Sequence, residues 1–227
     1  MNTFDPALFE NVRIIDISQP IESASACFPG DTPFSRQVTV SFEESGLINL
    51  SALTMSPHVG THVDAPVHVR GTMKGQKEAV GNLPLNPFIG PATVVDISPF
   101  TGAITAHDLE SRISDFTPRL LIRTRHQMRY HVFENDYAYF HPELAGWFKE
   151  KNICLAGLDT PSVDETTSKT LTAHHQLLSH NIYWLENLDL SQARSGKYVL
   201  VAMPLKFMEL EASPVRAILL DWSEVSK

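Results

Sequence analysis

From residue 92 to 186, short runs rich in β-branched and apolar residues alternate with stretches of helical period. The apolar runs at 92–98, 120–124, 153–159 and 181–186 read as strands bounded by turn residues. Between them, Thr105 followed three positions on by Asp108 resembles a capping box and predicts a helix to about residue 113. His141-Pro142-Glu143 predicts a second helix to about Lys151, with Leu144, Trp147 and Phe148 on one face, and a third is expected from about Ser168 to His180. Strand and helix in alternation are the pattern of an α/β domain. The first 90 residues differ: strands expected at 12–18, 37–42 and 48–55 are joined by Pro- and Gly-rich connections at 28–33, 71–75 and 84–91, with no clear helix. Strands at 198–203 and 215–221 close the chain. With no internal repeat and no linker, the expectation is a single domain over 1–227 with a β-rich N-terminal part.

Composition and charge narrow the partners. Eighteen Lys and Arg against 26 Asp and Glu give a formal charge of −8, without the basic stripe that carries nucleic-acid affinity, so no nucleic-acid partner is expected. No apolar run approaches the ~20 residues a membrane span needs. Residues 1–10 show neither a basic nor an apolar leader region, so no membrane partner and a cytoplasmic location are expected. Cys27 and Cys154 form neither a disulfide framework nor a CxxC site. The unusual count is ten histidines.

Three of those histidines fall in eleven residues, His58-Val59-Gly60-Thr61-His62-Val63-Asp64-Ala65-Pro66-Val67-His68, with polar and apolar positions in strict alternation. Period two puts a chemically active face against an apolar, core-facing one. A straight strand would hold His58 and His62 about 13 Å apart, whereas the ligands of one metal lie ~2 Å from it. The chain is therefore expected to bend, and Gly60 is where it can. His62 and Asp64, two apart, then point the same way, which suits a shared metal or a carboxylate bridging two. A carboxylate buried among valines costs several kcal/mol, which a divalent ion offsets.

A second half of the site is expected from the third helix, where positions 171, 174, 175 and 178 share a face, so at least one of His174 and His175 points inward. The following strand carries one charge, Glu186, among Ile182, Trp184 and Leu188. Together these form an imidazole and carboxylate ligand set without cysteine, of the kind zinc or manganese accepts. His107, His126, His131, His141 and His180 need no function, and no Ser or Cys has a nucleophile-elbow context.

The stretch from His58 to His68 resembles the HxGTHxDxPxH signature of the cyclase-family metal-dependent hydrolases. Phe28-Pro29-Gly30-Asp31-Thr32-Pro33, Gly157 through Asp164, Ser168-Lys169-Thr170-Leu171 leading to His174, Leu185-Glu186-Asn187-Leu188 and Ser213 through Ala217 are similar to the bacterial kynurenine formamidase (arylformamidase) branch. The resemblance implies a homodimer of a swivelling β/β/α fold with a mixed sheet and two zinc ions per subunit, manganese being the alternative metal. It matches His58 and His62 to one zinc, His174 to the other, and Asp64 and Glu186 to both. His68 matches the acid/base residue, and Phe28 stands where a Trp often stacks on the substrate's ring. The activity so implied is hydrolysis of N-formyl-L-kynurenine to L-kynurenine and formate in tryptophan degradation, by metal-activated water. The alternative is another cyclase-family amidohydrolase such as isatin hydrolase, which shares the metal motif. A metal-binding module without catalysis is disfavoured by His68, a titratable group beside a ligand set.

Overall fold

The computed structural model describes residues 12–71, 77–113 and 115–222. The leader reading of residues 1–10 and most of the 71–75 connection lie outside the described residues. In chain order the elements are β1 (Arg13–Asp16), β2 (Ser35–Val40), α1 (Phe42–Ser45), β3 (Leu50–Thr54), β4 (His62–Asp64), β5 (Ile89–Asp96), β6 (Gly102–Ile104), α2 (Ala106–Glu110), β7 (Arg119–Arg123), β8 (Ala138–Phe140), α3 (Leu144–Glu150), β9 (Leu155–Leu158), α4 (Thr172–Ser179), β10 (Tyr183–Glu186), β11 (Gly196–Val201), β12 (Ala212–Pro214) and β13 (Ile218–Asp221). Nine strands form one mixed sheet in the order β1-β13-β11-β5-β7-β9-β10-β4-β12. The neighbours β5, β7, β9 and β10 run parallel, as the α/β alternation implies. Antiparallel strands flank them on both sides. β2 and β3 form a separate antiparallel hairpin, and β6 and β8 a short parallel pair.

The parallel strands are buried on both faces, and alternate residues feed two cores. In β7, Leu121 joins Val63, Val94 and Leu185 on one side, while Leu120 and Ile122 join the helical residues Leu109, Leu144, Phe148 and Leu177 on the other. The first helix begins where expected: the Asp108 carboxylate accepts from the backbone N–H and the hydroxyl of Thr105. Trp147 lies only partly against the core, because its indole N–H reaches Glu110 at the surface.

Four expectations need correction. The first 90 residues do contain helix: the single turn α1, capped by Ser41, and short 3-10 turns such as Pro66–His68. β5 starts at Ile89, inside the stretch read as a connection. It tolerates Pro91 because its pairing with β7 begins only at Thr93, and the Pro91 carbonyl is taken by the Arg119 guanidinium. The third helix starts at Thr172 rather than Ser168, since Leu171 has φ 46° and its backbone N–H donates to the Ser168 hydroxyl. The strands β6, β8 and β12, three residues each, were not anticipated; they are too short to show a period.

Candidate metal centre

The histidine segment does bend at Gly60, which has φ +71°. A Cβ there would lie 2.8 Å from Ile21 Cγ1, so the close approach and the positive φ both favour glycine. The bend brings the His58 ring to 5.0 Å from the His62 ring, centroid to centroid. The alternating strand is shorter than its pattern: only His62–Asp64 pair as β4, and Pro66 opens the 3-10 turn that carries His68. β10 lies beside β4 with Glu186 opposite His62, which places Trp184 opposite Asp64. The Trp184 indole donates to Asp64 Oδ2 at 3.0 Å. His174 enters from the first turn of α4 and is buried, whereas His175 on the same helix is exposed. That settles which of the two faces inward.

The two carboxylates each look both ways. Asp64 Oδ1 lies 3.1 Å from His58 Nδ1 and 3.5 Å from His62 Nε2, while Oδ2 lies 3.5 Å from His174 Nε2 and 3.9 Å from His68 Nε2. Glu186 Oε2 lies 3.1 Å from His62 Nε2, and Oε1 lies 3.5 Å from His174 Nε2. Ligand atoms of His62, Asp64 and Glu186 fall within 4.8 Å of one another, as do those of His58, Asp64 and His68. His62 Nε2 and Asp64 Oδ1 are buried with no hydrogen-bond partner among the described residues. Buried polar atoms in this state are rare, and a divalent cation satisfies an imidazole and a carboxylate together. The residues present therefore fit a metal.

Further side chains hold this set in place. His62 Nδ1 meets the Gly60 carbonyl at 2.9 Å, and His174 Nδ1 meets Asp164 Oδ2 at 2.6 Å, each contact orienting the ring so that Nε2 faces the carboxylates. Asp164 also accepts the backbone N–H groups of Ala173 and His174. Val163 N–H donates to Glu186 at 2.8 Å. Glu211 comes to 3.5 Å from His58 Nε2 because β12 pairs with β4, Ala212 opposite Asp64.

The charges are strongly coupled. Burial lowers the His58 pKa, yet the neighbouring carboxylates of Asp64 and Glu211 carry it up to about 10. His174 likewise reaches about 10, where burial is overcome by Asp164 and Asp64. Burial disfavours the Asp64 carboxylate, but His174 and His58 hold it well below the usual range. His68 is lowered by burial, with Asp64 opposing and the neighbouring His58 and His174 adding to the shift.

The cluster opens into a cavity of about 670 Å³ whose walls include Phe28, Phe133, Arg125, Glu134 and Lys169. Phe28 lies here as expected, with its ring edge-to-face on Phe133 at 5.1 Å. Sequence reasoning missed Phe133, Glu211 and the roles of Asp164 and Trp184. Only Asp164, an acidic residue ten positions before His174, left a signal that could have been used. The remaining histidines stand elsewhere: His131 contacts Glu22, His126 contacts Ser98, and His180 meets the Gln176 carbonyl at the end of α4.

The family model for Cyclase matches residues 15–165. The chain belongs to the cyclase family. Among curated members it is 40% identical over 207 residues to a kynurenine formamidase of Bordetella avium, covering 91% of this chain and 97% of that one. A kynurenine formamidase of Bacillus cereus is 42% identical over 205 residues, covering 90% and 96%. Among solved structures, isatin hydrolase A from Ralstonia solanacearum superposes with a TM-score of 0.78 at 23% identity, covering 97% and 98%. A predicted metal-dependent hydrolase from Bacillus stearothermophilus gives 0.76 at 24%, covering 92% and 98%. At that identity the likeness of this cyclase-family chain to the two structures is one of fold.

Proposed function

We propose that the chain, as one domain over 1–227 and as a cytoplasmic homodimer, hydrolyses N-formyl-L-kynurenine to L-kynurenine and formate. The observation that carries the metal chemistry is the two-sided placement of Asp64 and Glu186, each with one oxygen toward His62 and the other toward His174. That arrangement supports two metal ions, zinc with manganese as the alternative, which His58, His62, His174, Asp64 and Glu186 would hold. Bound metal would supply a water of lowered pKa and a Lewis acid for the formyl carbonyl. The full-length likeness to kynurenine formamidases at 40% identity supports the substrate over isatin.

The chain's own groups then have definite tasks. His68, at the mouth of the cluster and lowered in pKa by burial, is available as a neutral base. It takes a proton from the attacking water and gives it to the departing aryl nitrogen, so that the C–N bond breaks to an amine rather than an amide anion. Phe28 and Phe133 face the aryl ring. The free thiols of Cys27 and Cys154 support a reducing compartment.

The test combines metal analysis with the loss of formylkynurenine absorbance, with and without chelator, and with isatin as the competing substrate. Turnover of formylkynurenine that chelation abolishes is expected. His68→Ala is expected to keep its metal and lose 10²- to 10⁴-fold in turnover, the usual contribution of an acid/base group. Full turnover in that variant with metal bound would remove His68 from its role, and hydrolysis of isatin alone would favour the second reading.

A further inference from the structure

The cavity above the cluster carries charged groups that hydrolysis of the formyl group does not require. Arg125, two residues past β7, is largely buried at 16% side-chain exposure and donates from Nη1 to Glu134 Oε2 at 2.5 Å. The more exposed Arg129 donates to Glu134 Oε1 at 3.0 Å. The backbone beneath Arg125 is fixed, because the buried Asp159 carboxylate accepts the N–H groups of Thr124 and Arg125 and the Thr124 hydroxyl. Arg125 thus presents a held guanidinium with donors to spare, beside a carboxylate of opposite charge.

Position and chemistry agree. Arg125, Glu134, Phe28 and Phe133 line the same cavity as His62, His174 and Glu186. Arg125 and Glu186 stand at the C-terminal ends of β7 and β10, with β9 between them. Glu186 is level with Ile122 across β9, two interstrand steps or about 10 Å away, and Arg125 is three residues beyond Ile122 with its side chain on the shared cavity wall, a span on the scale of an aryl ring with a short amino-acid side chain. Phe133 and Glu134 are consecutive, so the wall changes from aromatic to ionic along one loop.

We propose that Arg125 and Glu134 recognise the α-amino-acid end of the substrate, Arg125 taking its carboxylate and Glu134 its ammonium. This rests on the formamidase reading and deepens it, making the site selective for a zwitterionic aryl formamide over a neutral one. Lys169 and Glu165, also on the cavity wall, are exposed, where water and salt weaken the same contacts.

The test measures kcat/KM for N-formyl-L-kynurenine and for formanilide, an aryl formamide without the amino-acid side chain, on wild type, Arg125→Met and Glu134→Gln. The ratio of the two specificity constants is expected to fall roughly 100-fold in Arg125→Met, mainly through KM, and about 10-fold in Glu134→Gln. Glu134→Gln keeps the side chain's shape, and calorimetric titration with L-kynurenine gives a readout independent of turnover, in which both variants are expected to bind more weakly. An unchanged ratio, or the same selective loss in Lys169→Met but not in Arg125→Met, overturns the proposal while the formamidase reading stands. Wild type that hydrolyses neither aryl formamide overturns both.

Discussion

His174 contacts three carboxylates, and they act differently on it. Its Nε2 faces Asp64 and Glu186, the pair that reaches across the site, whereas its Nδ1 is held by Asp164 at 2.6 Å. Because Asp164 also accepts the N–H groups of Ala173 and His174, one side chain both caps α4 and fixes the ring it carries. Asp164→Asn would turn an amide N–H₂ toward these donors and weaken the ring's orientation. The expected outcome is a 10- to 100-fold loss of metal affinity, read by competition with a chromogenic chelator, with circular dichroism reporting that the fold is kept. Unchanged affinity would show that the imidazole needs no such support. His58, His62 and Asp64 were legible as a ligand set because they lie in phase within a few residues. Glu211 was not, since nothing in a lone carboxylate's local sequence says which histidine the fold will bring to it.

At the scale of elements, the site depends on one bend. A regular strand from His58 to His68 would spread the histidines along the sheet, so the alternation alone pointed to the right face and the wrong shape. Gly60 turns the chain before β4 and Pro66 turns it after, leaving three paired residues that hold His62 and Asp64 against Glu186 and Trp184. Gly60→Ala forces a Cβ into φ +71° and to 2.8 Å from Ile21. A loss of about 1–3 kcal/mol is expected for a non-glycine residue held there, measured by urea unfolding of the metal-free protein. The double variant Gly60→Ala/Ile21→Ala removes the clash but not the dihedral strain. It separates the two causes against Ile21→Ala alone: equal coupling-free losses would mean that the contact with Ile21 contributes nothing. The same segment explains why boundaries here escaped sequence reading, since a three-residue strand is specified by its partners β10 and β12 rather than by its own period.

For the whole molecule, the legible part is the parallel half. β5, β7, β9 and β10 are buried on both faces, with α2, α3 and α4 packed on one of them, and so read as apolar runs separated by helical periods. The antiparallel additions on either side are chosen by long-range pairing, which no window of sequence contains. The hairpin of β2 and β3 stands apart from the nine-stranded sheet. It exposes Val38, Leu50 and Leu53 at 49%, 53% and 66%, with Phe42, Leu47 and Ile48 beside them at 52%, 79% and 53%. Two strands are marginal by themselves in water, and exposed apolar side chains gathered on one hairpin are of the kind that a partner covers. The proposed homodimer would supply a second copy of the chain as the occupant, and a two-fold axis would let the two hairpins cover each other symmetrically. Leu50→Lys/Leu53→Lys places charge on both faces of the hairpin without touching the metal cluster. The expected outcome is a shift from two-chain to one-chain mass in sedimentation velocity. A wild-type chain that sediments as a monomer, or a variant that stays dimeric, would assign these side chains to some other contact.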